Sequence, residues 1–190
     1  MLALRSIAVA LVALVLLAGC GDEPDGFPSD QDRYAAADVT FARDMVAHHT
    51  QALEMVDLTD GRDLDATFAA LVREIRETQA PEIASMNRWL ELWSGSVPST
   101  ASSPEMDDME GMHHMDGMLS DDQLEQLATA SDDDFEQLWL QLMIEHHQGA
   151  LEMAQTELDE GTNALARELA QDVIDTQQSE IETMQDLLAD

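Results

Sequence analysis

All six histidines of this chain fall in three adjacent pairs, His48-His49, His113-His114 and His146-His147, each with methionines close by. Two pairs lie in near-copies of one segment, Met45-Val46-Ala47-His48-His49-Thr50-Gln51-Ala52-Leu53-Glu54-Met55 and Met143-Ile144-Glu145-His146-His147-Gln148-Gly149-Ala150-Leu151-Glu152-Met153. Imidazole nitrogen and thioether sulfur are the donors that suit a soft transition metal, Cu(I) above all, while imidazole also serves Cu(II). The pattern points to ligand chemistry for a soft metal ion.

On a helix turning 100° per residue, Phe41, Met45, His48, His49, Ala52 and Met55 share a face about 120° wide, the width of a core-facing stripe. Glu54 and its counterpart Glu152 fall on the opposite, solvated side. The two histidines of a doublet diverge by about 100°, so they do not chelate one ion from the same helix. One reaches the interior and the other a flank or a second site; the residues leave open which. Met45 neighbours either, since three- and four-residue spacings share a face.

The segment is repeated at a constant offset of 98 residues, with no gap over some fifty positions. Phe41 aligns with Trp139, Leu71 with Leu169, Gln79 with Gln177, Glu82-Ile83 with Glu180-Ile181, Met86 with Met184, and Leu90 with Leu188. Gln79, Ile83, Met86 and Leu90 form one stripe of a second helix, with Glu82 at its edge, and Gln177, Ile181, Met184, Leu188 and Glu180 repeat it. Glu82 and Glu180 either ligate a metal or accept a hydrogen bond from an imidazole and fix its tautomer; the second role fits better. The candidate donors are then His48, His49, His146, His147, Met45, Met55, Met86, Met143, Met153 and Met184, supported by Glu82, Glu180, Gln79 and Gln177. A methionine on such a face also serves as core filler. Two adjacent buried imidazoles are harder to explain by packing, because each needs a polar partner.

Each copy reads as a helical hairpin. The first runs over 38–93, with helices from Asp38 to Leu58 and from about Asp63 to Trp93, separated by Gly61. Pro81 should bend the second of these without ending it, since the repeat register survives past it. The second copy covers 131–188, with helices Ser131 to Glu160 and Asn163 to Leu188, and Ser120-Asp121-Asp122-Gln123 opens a short helix before it. No stretch alternates with period two, which argues against strands. The expected fold is all-α, a four-helix bundle of two repeated hairpins joined by a long crossover.

That crossover, 97–119, carries methionine at every third position from Met106 through Met109, Met112 and Met115 to Met118, with His113 and His114 among them. It is too poor in branched apolar residues to build a core. Met109, Met112, His113, His114 and Met115 make a third candidate metal site.

The ends say where the chain works. Residues 1–19 carry one basic residue, Arg5, then an apolar run too short to span a bilayer comfortably. Leu17-Ala18-Gly19-Cys20 resembles a bacterial lipobox, so Cys20, the only cysteine, is the expected lipidation site. Residues 20–33 read as a polar tether, leaving 34–190 for one domain. A formal net charge of −32 with no lysine disfavours nucleic acid and anionic membrane surfaces as partners. The expected partners are a metal ion, a membrane reached through the lipid anchor, and a copper-transfer protein of unknown identity.

The M-x-x-H-H-x-x-A-x-x-M segment followed by Q-x-x-E-I-x-x-M, twice over, resembles the Domain of Unknown Function 305 family, across nearly all of 34–190. The resemblance implies a fold similar to ferritin-like four-helix bundles and a copper-binding role at the matching His and Met positions, as in periplasmic or secreted members that resist copper. The second copy departs from the pattern, with Leu187-Leu188 where the first has Trp89-Leu90. The expected function is extracytoplasmic, membrane-anchored copper binding and buffering, without catalysis. Two alternatives stand beside it: a ferritin-like two-metal oxidase, against which the lack of any Glu-x-x-His in either repeat counts, and a structural helical lipoprotein.

Overall fold

The computed structural model describes residues 33–94 and 117–189, and within them every regular element is helical. Cys20, Met109, Met112, His113, His114 and Met115 lie outside the described residues, as do the expected signal segment and most of the tether. The helices are α1 (Ala36–Asp57), α2 (Ala66–Ser94), α3 (Asp121–Thr129), α4 (Asp132–Glu160) and α5 (Ala164–Ala189).

Local chemistry sets their ends. Gly61, at a φ of +81°, turns the chain after α1, a conformation that costs glycine little. The next helix starts at Ala66, later than the expected Asp63, because the Asp65 carboxylate accepts from the Thr67 and Phe68 amides and so caps it. Asn163 caps α5 in the same way, accepting from Leu165 and Ala166. Ser120 and Gln123 form the capping box that opens α3. Pro81 lies inside α2, which runs through it unbroken.

α1 packs on α2 and α4 on α5; α1 against α4 and α2 against α5 join the two hairpins. The junction has approximate two-fold symmetry. The Trp139 indole N–H donates to the carbonyl of Met55 at 2.9 Å, bringing the end of α1 beside the start of α4. The repeat counterparts of these residues, Phe41 and Met153, line one cleft at the opposite end of the same seam. The helices α1 and α4 are thus antiparallel, and each hairpin uses equivalent residues to meet the other.

The apolar core falls into two clusters. One holds Ala52, Met55, Phe68, Ile75, Trp139, Met143, Ile181 and Met184, with Phe68 edge-on to Trp139 at 5.0 Å between ring centroids. The other holds Phe41, Met45, Met86, Trp93, Ala150, Ala170 and Val173. Burying a large apolar side chain contributes roughly 1.5–3 kcal/mol, so these clusters carry the fold. Along each of the four long helices, one polar pair separates the two clusters.

Candidate metal centre

Those pairs are His48-His49 on α1, Gln79 and Glu82 on α2, His146-His147 on α4, and Gln177 and Glu180 on α5. Together they form one polar layer across the molecule. On α1 it lies between Met45 of one cluster and Ala52 of the other; on α5 it lies between Val173 and Ile181. All four histidines are wholly buried, and Gln79, Gln177 and Glu180 nearly so.

The 100° divergence within each doublet has a definite outcome. His48 and His146 meet across the α1–α4 seam, their ring centroids 3.7 Å apart and their planes inclined by 38°. Being repeat counterparts, they sit on the approximate two-fold axis. His49 and His147 turn instead toward the partner helix of their own hairpin. Nε2 of His49 lies 2.7 Å from the Glu82 carboxylate, and Nε2 of His147 lies 2.8 Å from that of Glu180. Each carboxylate fixes the tautomer and orientation of its imidazole.

Burial, and then the neighbouring imidazoles of His48, His147 and His49, hold His146 well below the ordinary histidine value of 6.5. A hydrogen-bonding contact to the His48 backbone opposes this without offsetting it. The ring is neutral at pH 7, the form in which imidazole binds a metal.

The layer is rich in open valence. Neither ring nitrogen of His146 reaches a partner at full hydrogen-bond geometry among the described residues, nor do Nδ1 of His49 and of His147. The same holds for both polar atoms of the Gln79 amide, the carbonyl oxygen of Gln177 and one oxygen of Glu180. A buried polar atom left open costs about 1–3 kcal/mol, so such a layer suits a ligand that would satisfy its donors.

Among the described residues, no three His, Cys, Asp or Glu side chains converge in a metal-holding group. The donors available at the axis are therefore two imidazoles plus any thioether within reach, a set suited to a soft cation of low coordination number.

The thioethers are divided. Met45 and Met143, each one turn before its doublet, are wholly buried on opposite sides of the layer. Met55, Met86 and Met184 are buried within the apolar clusters. Met153 is only partly buried and lines the outer cleft with Phe41, Asp44 and Glu157. Met45 and Met143 are thus the sulfur donors nearest to a doublet by register along the same helix.

Several residues absent from the sequence-based set help to hold the layer's frame, some one turn from it and others at the ends of the bundle. Gln51 and Gly149 occupy equivalent positions in the two copies and differ in size and polarity, a difference visible in the sequence. Asp38, wholly buried, accepts from the Thr162 and Asn163 amides of the distant α4–α5 turn. Its repeat counterpart Glu136 accepts from the Asp65 amide of the α1–α2 turn, so each hairpin grips the other's turn.

A family model described as "Domain of unknown function (DUF305)" matches residues 38–188. Among solved structures, a DUF305 protein from Streptomyces coelicolor assigned as secreted is 39% identical, with a TM-score of 0.69 over 80% of this chain and 92% of its own. A DUF305 fragment from Deinococcus radiodurans is 32% identical, with a TM-score of 0.67 over 82% and 97% of the two chains. CopM in its Cu(II)-bound form is 26% identical, with a TM-score of 0.63 over 80% of this chain and 95% of that one. CopM has also been solved in Cu(I)-bound, Ag-bound and apo forms. No curated protein matches the sequence.

Proposed function

The chain belongs to the DUF305 family, and on that premise we propose that it binds copper at its central histidine layer, as an extracytoplasmic protein tethered through Cys20. The observation that carries the reading is the pair His48 and His146: buried, neighbouring, with the His146 nitrogens open in the middle of an apolar core. The copper- and silver-bound forms of CopM support it from outside the chain. Bound there, the ion would be held by imidazole nitrogen and thioether sulfur, with His48, His146, Met45 and Met143 as the residues of choice. Glu82 and Glu180 orient the outer imidazoles. The work is capture and release, which turns over no substrate. Cu(I) is the favoured form, since half of this donor set is sulfur.

The extracytoplasmic placement rests on the signal-like first nineteen residues, on Cys20 in its lipobox setting and on the secreted relative. No helix among the described residues is long and apolar enough to cross a membrane. Growth with labelled palmitate should label the wild type and leave Cys20→Ala unlabelled; equal labelling of both would refute the anchor.

Thermal unfolding of the mature chain tests the copper reading. A ligand of the native state raises the midpoint, and at a hundredfold excess over Kd the gain is about 2.7 kcal/mol. Ag(I), a redox-inert stand-in for Cu(I), should raise the midpoint of the wild type and leave His48→Ala/His146→Ala unmoved. A midpoint indifferent to both Ag(I) and Cu(I) rejects the proposal.

A further inference from the structure

The polar layer is closed on one side by α2 and α5, which supply the carboxylates that hold His49 and His147. On the α1–α4 seam itself, a short piece of chain from Gly117 to Leu119 lies across the two helices. Its hold on α1 is a paired amide contact: the Gln51 side chain donates to the Leu119 carbonyl at 2.9 Å and accepts from the Leu119 amide at 2.8 Å. Its hold on α4 is a close backbone approach. A Cβ at Gly117 would stand 2.8 Å from the carbonyl oxygen of Glu145, 2.9 Å from that of His146 and 3.0 Å from Cα of Gly149. Gly117 also has a φ of +83°, which a side chain rarely tolerates.

These contacts break the internal symmetry at equivalent places. Gln51, one turn beyond His48, grips the strap; its counterpart Gly149, one turn beyond His146, makes room for it. A glutamine at both positions would leave no space for Gly117 on α4. The difference between the two motifs at this position therefore has a physical meaning. It lets one strap, and only in one orientation, bridge the seam where His48 and His146 meet.

We propose that this strap, latched by Gln51 and seated on Gly149, is the element whose release sets how fast an ion reaches and leaves the His48–His146 pair. The inference rests on the copper reading of the same site and adds a kinetic role to it. Both histidines are wholly buried, so some covering element must move for exchange. Lifting the strap breaks two side-chain hydrogen bonds and uncovers Leu119, a single member of one apolar cluster, whereas opening the α1–α2 or α4–α5 pairs would disrupt many side chains of both clusters. It is the least costly element to lift.

The test is transfer of Cu(I) from the loaded full-length chain to an excess of a chromogenic Cu(I) chelator, followed by stopped flow. Gln51→Ala removes both latch bonds and Gln51→Glu removes the donated one. Release should be faster by about tenfold or more in Gln51→Ala and by less in Gln51→Glu, with stoichiometry unchanged. Gly149→Gln, which fills the seat, should accelerate release as well. Hydrogen exchange at the Leu119 amide reports the latch independently, and its protection should fall in Gln51→Ala. Lost protection with release at the wild-type rate overturns the strap's role and leaves copper binding intact. A wild type that takes up no Cu(I) overturns both.

Discussion

Within each doublet the two imidazoles have opposite surroundings, and the difference is set by which helix each one faces. His49 and His147 are held by a carboxylate from their own hairpin, whereas the rings of His48 and His146 meet each other across the seam between hairpins. The outer pairs differ in burial: the Glu82 side chain is 12% exposed and that of Glu180 is 4% exposed. Glu180→Ala leaves a buried imidazole nitrogen without a partner and water excluded, at a cost of about 1–3 kcal/mol. Glu82→Ala lets water reach the ring and should cost clearly less. Urea unfolding of the metal-free chain measures both, and equal losses would contradict the asymmetry. The doublets and their methionines were legible in the sequence as donors, and the wheel geometry separated the two histidines of each pair. It left open which one turns inward, because that depends on where the other hairpin packs.

At the scale of elements, the duplication does most of the work. A constant offset, apolar stripes and glycine-marked turns revealed two hairpins, since those signals are local. The joining of the hairpins was not legible, because it depends on contacts between residues far apart in the chain, such as Asp38 with Asn163 and Gln51 with Leu119. Asp38 and Glu136 hold equivalent positions and perform equivalent tasks, yet only the Asp38 end carries a second buried acid. Burial first, then the adjacent Asp38, push Glu157 from its ordinary 4.5 up to about 8, with Arg167 opposing. Burial would raise Asp38 too, but hydrogen bonds from Ala35, Asn163, Glu157 and Thr162 outweigh it and hold its carboxyl below 3.8. The signs are opposite. The Glu157 contribution is complete below pH 4.5 and lost as pH rises through about 8, whereas that of Asp38 is present above pH 3.8 and lost in stronger acid. Glu157→Gln should therefore match the wild type near pH 4.5 and exceed its melting midpoint at pH 9. A variant that gains nothing at alkaline pH contradicts a protonated Glu157 in the fold.

For the whole molecule, a formal charge of −32 over 190 residues imposes self-repulsion that the fold must withstand. Salt screens exposed charges over about 10 Å at 0.1 M, so the melting midpoint should climb from low salt to about 0.5 M sodium chloride. A midpoint that falls over that range would mean that attractive pairs, not repulsion, dominate the surface. The same charge concentrates cations around the chain without distinguishing among them. On the copper reading proposed above, selection comes from the interior, where nitrogen and sulfur would replace carboxylate oxygen as donors. X-ray absorption at the copper edge of the Cu(I)-loaded mature chain tests this most directly. The wild type should show imidazole nitrogen and thioether sulfur around the ion, and His48→Ala/His146→Ala should lose the imidazole scattering. A spectrum unchanged by that double substitution would place the copper elsewhere and remove the central layer from the protein's function.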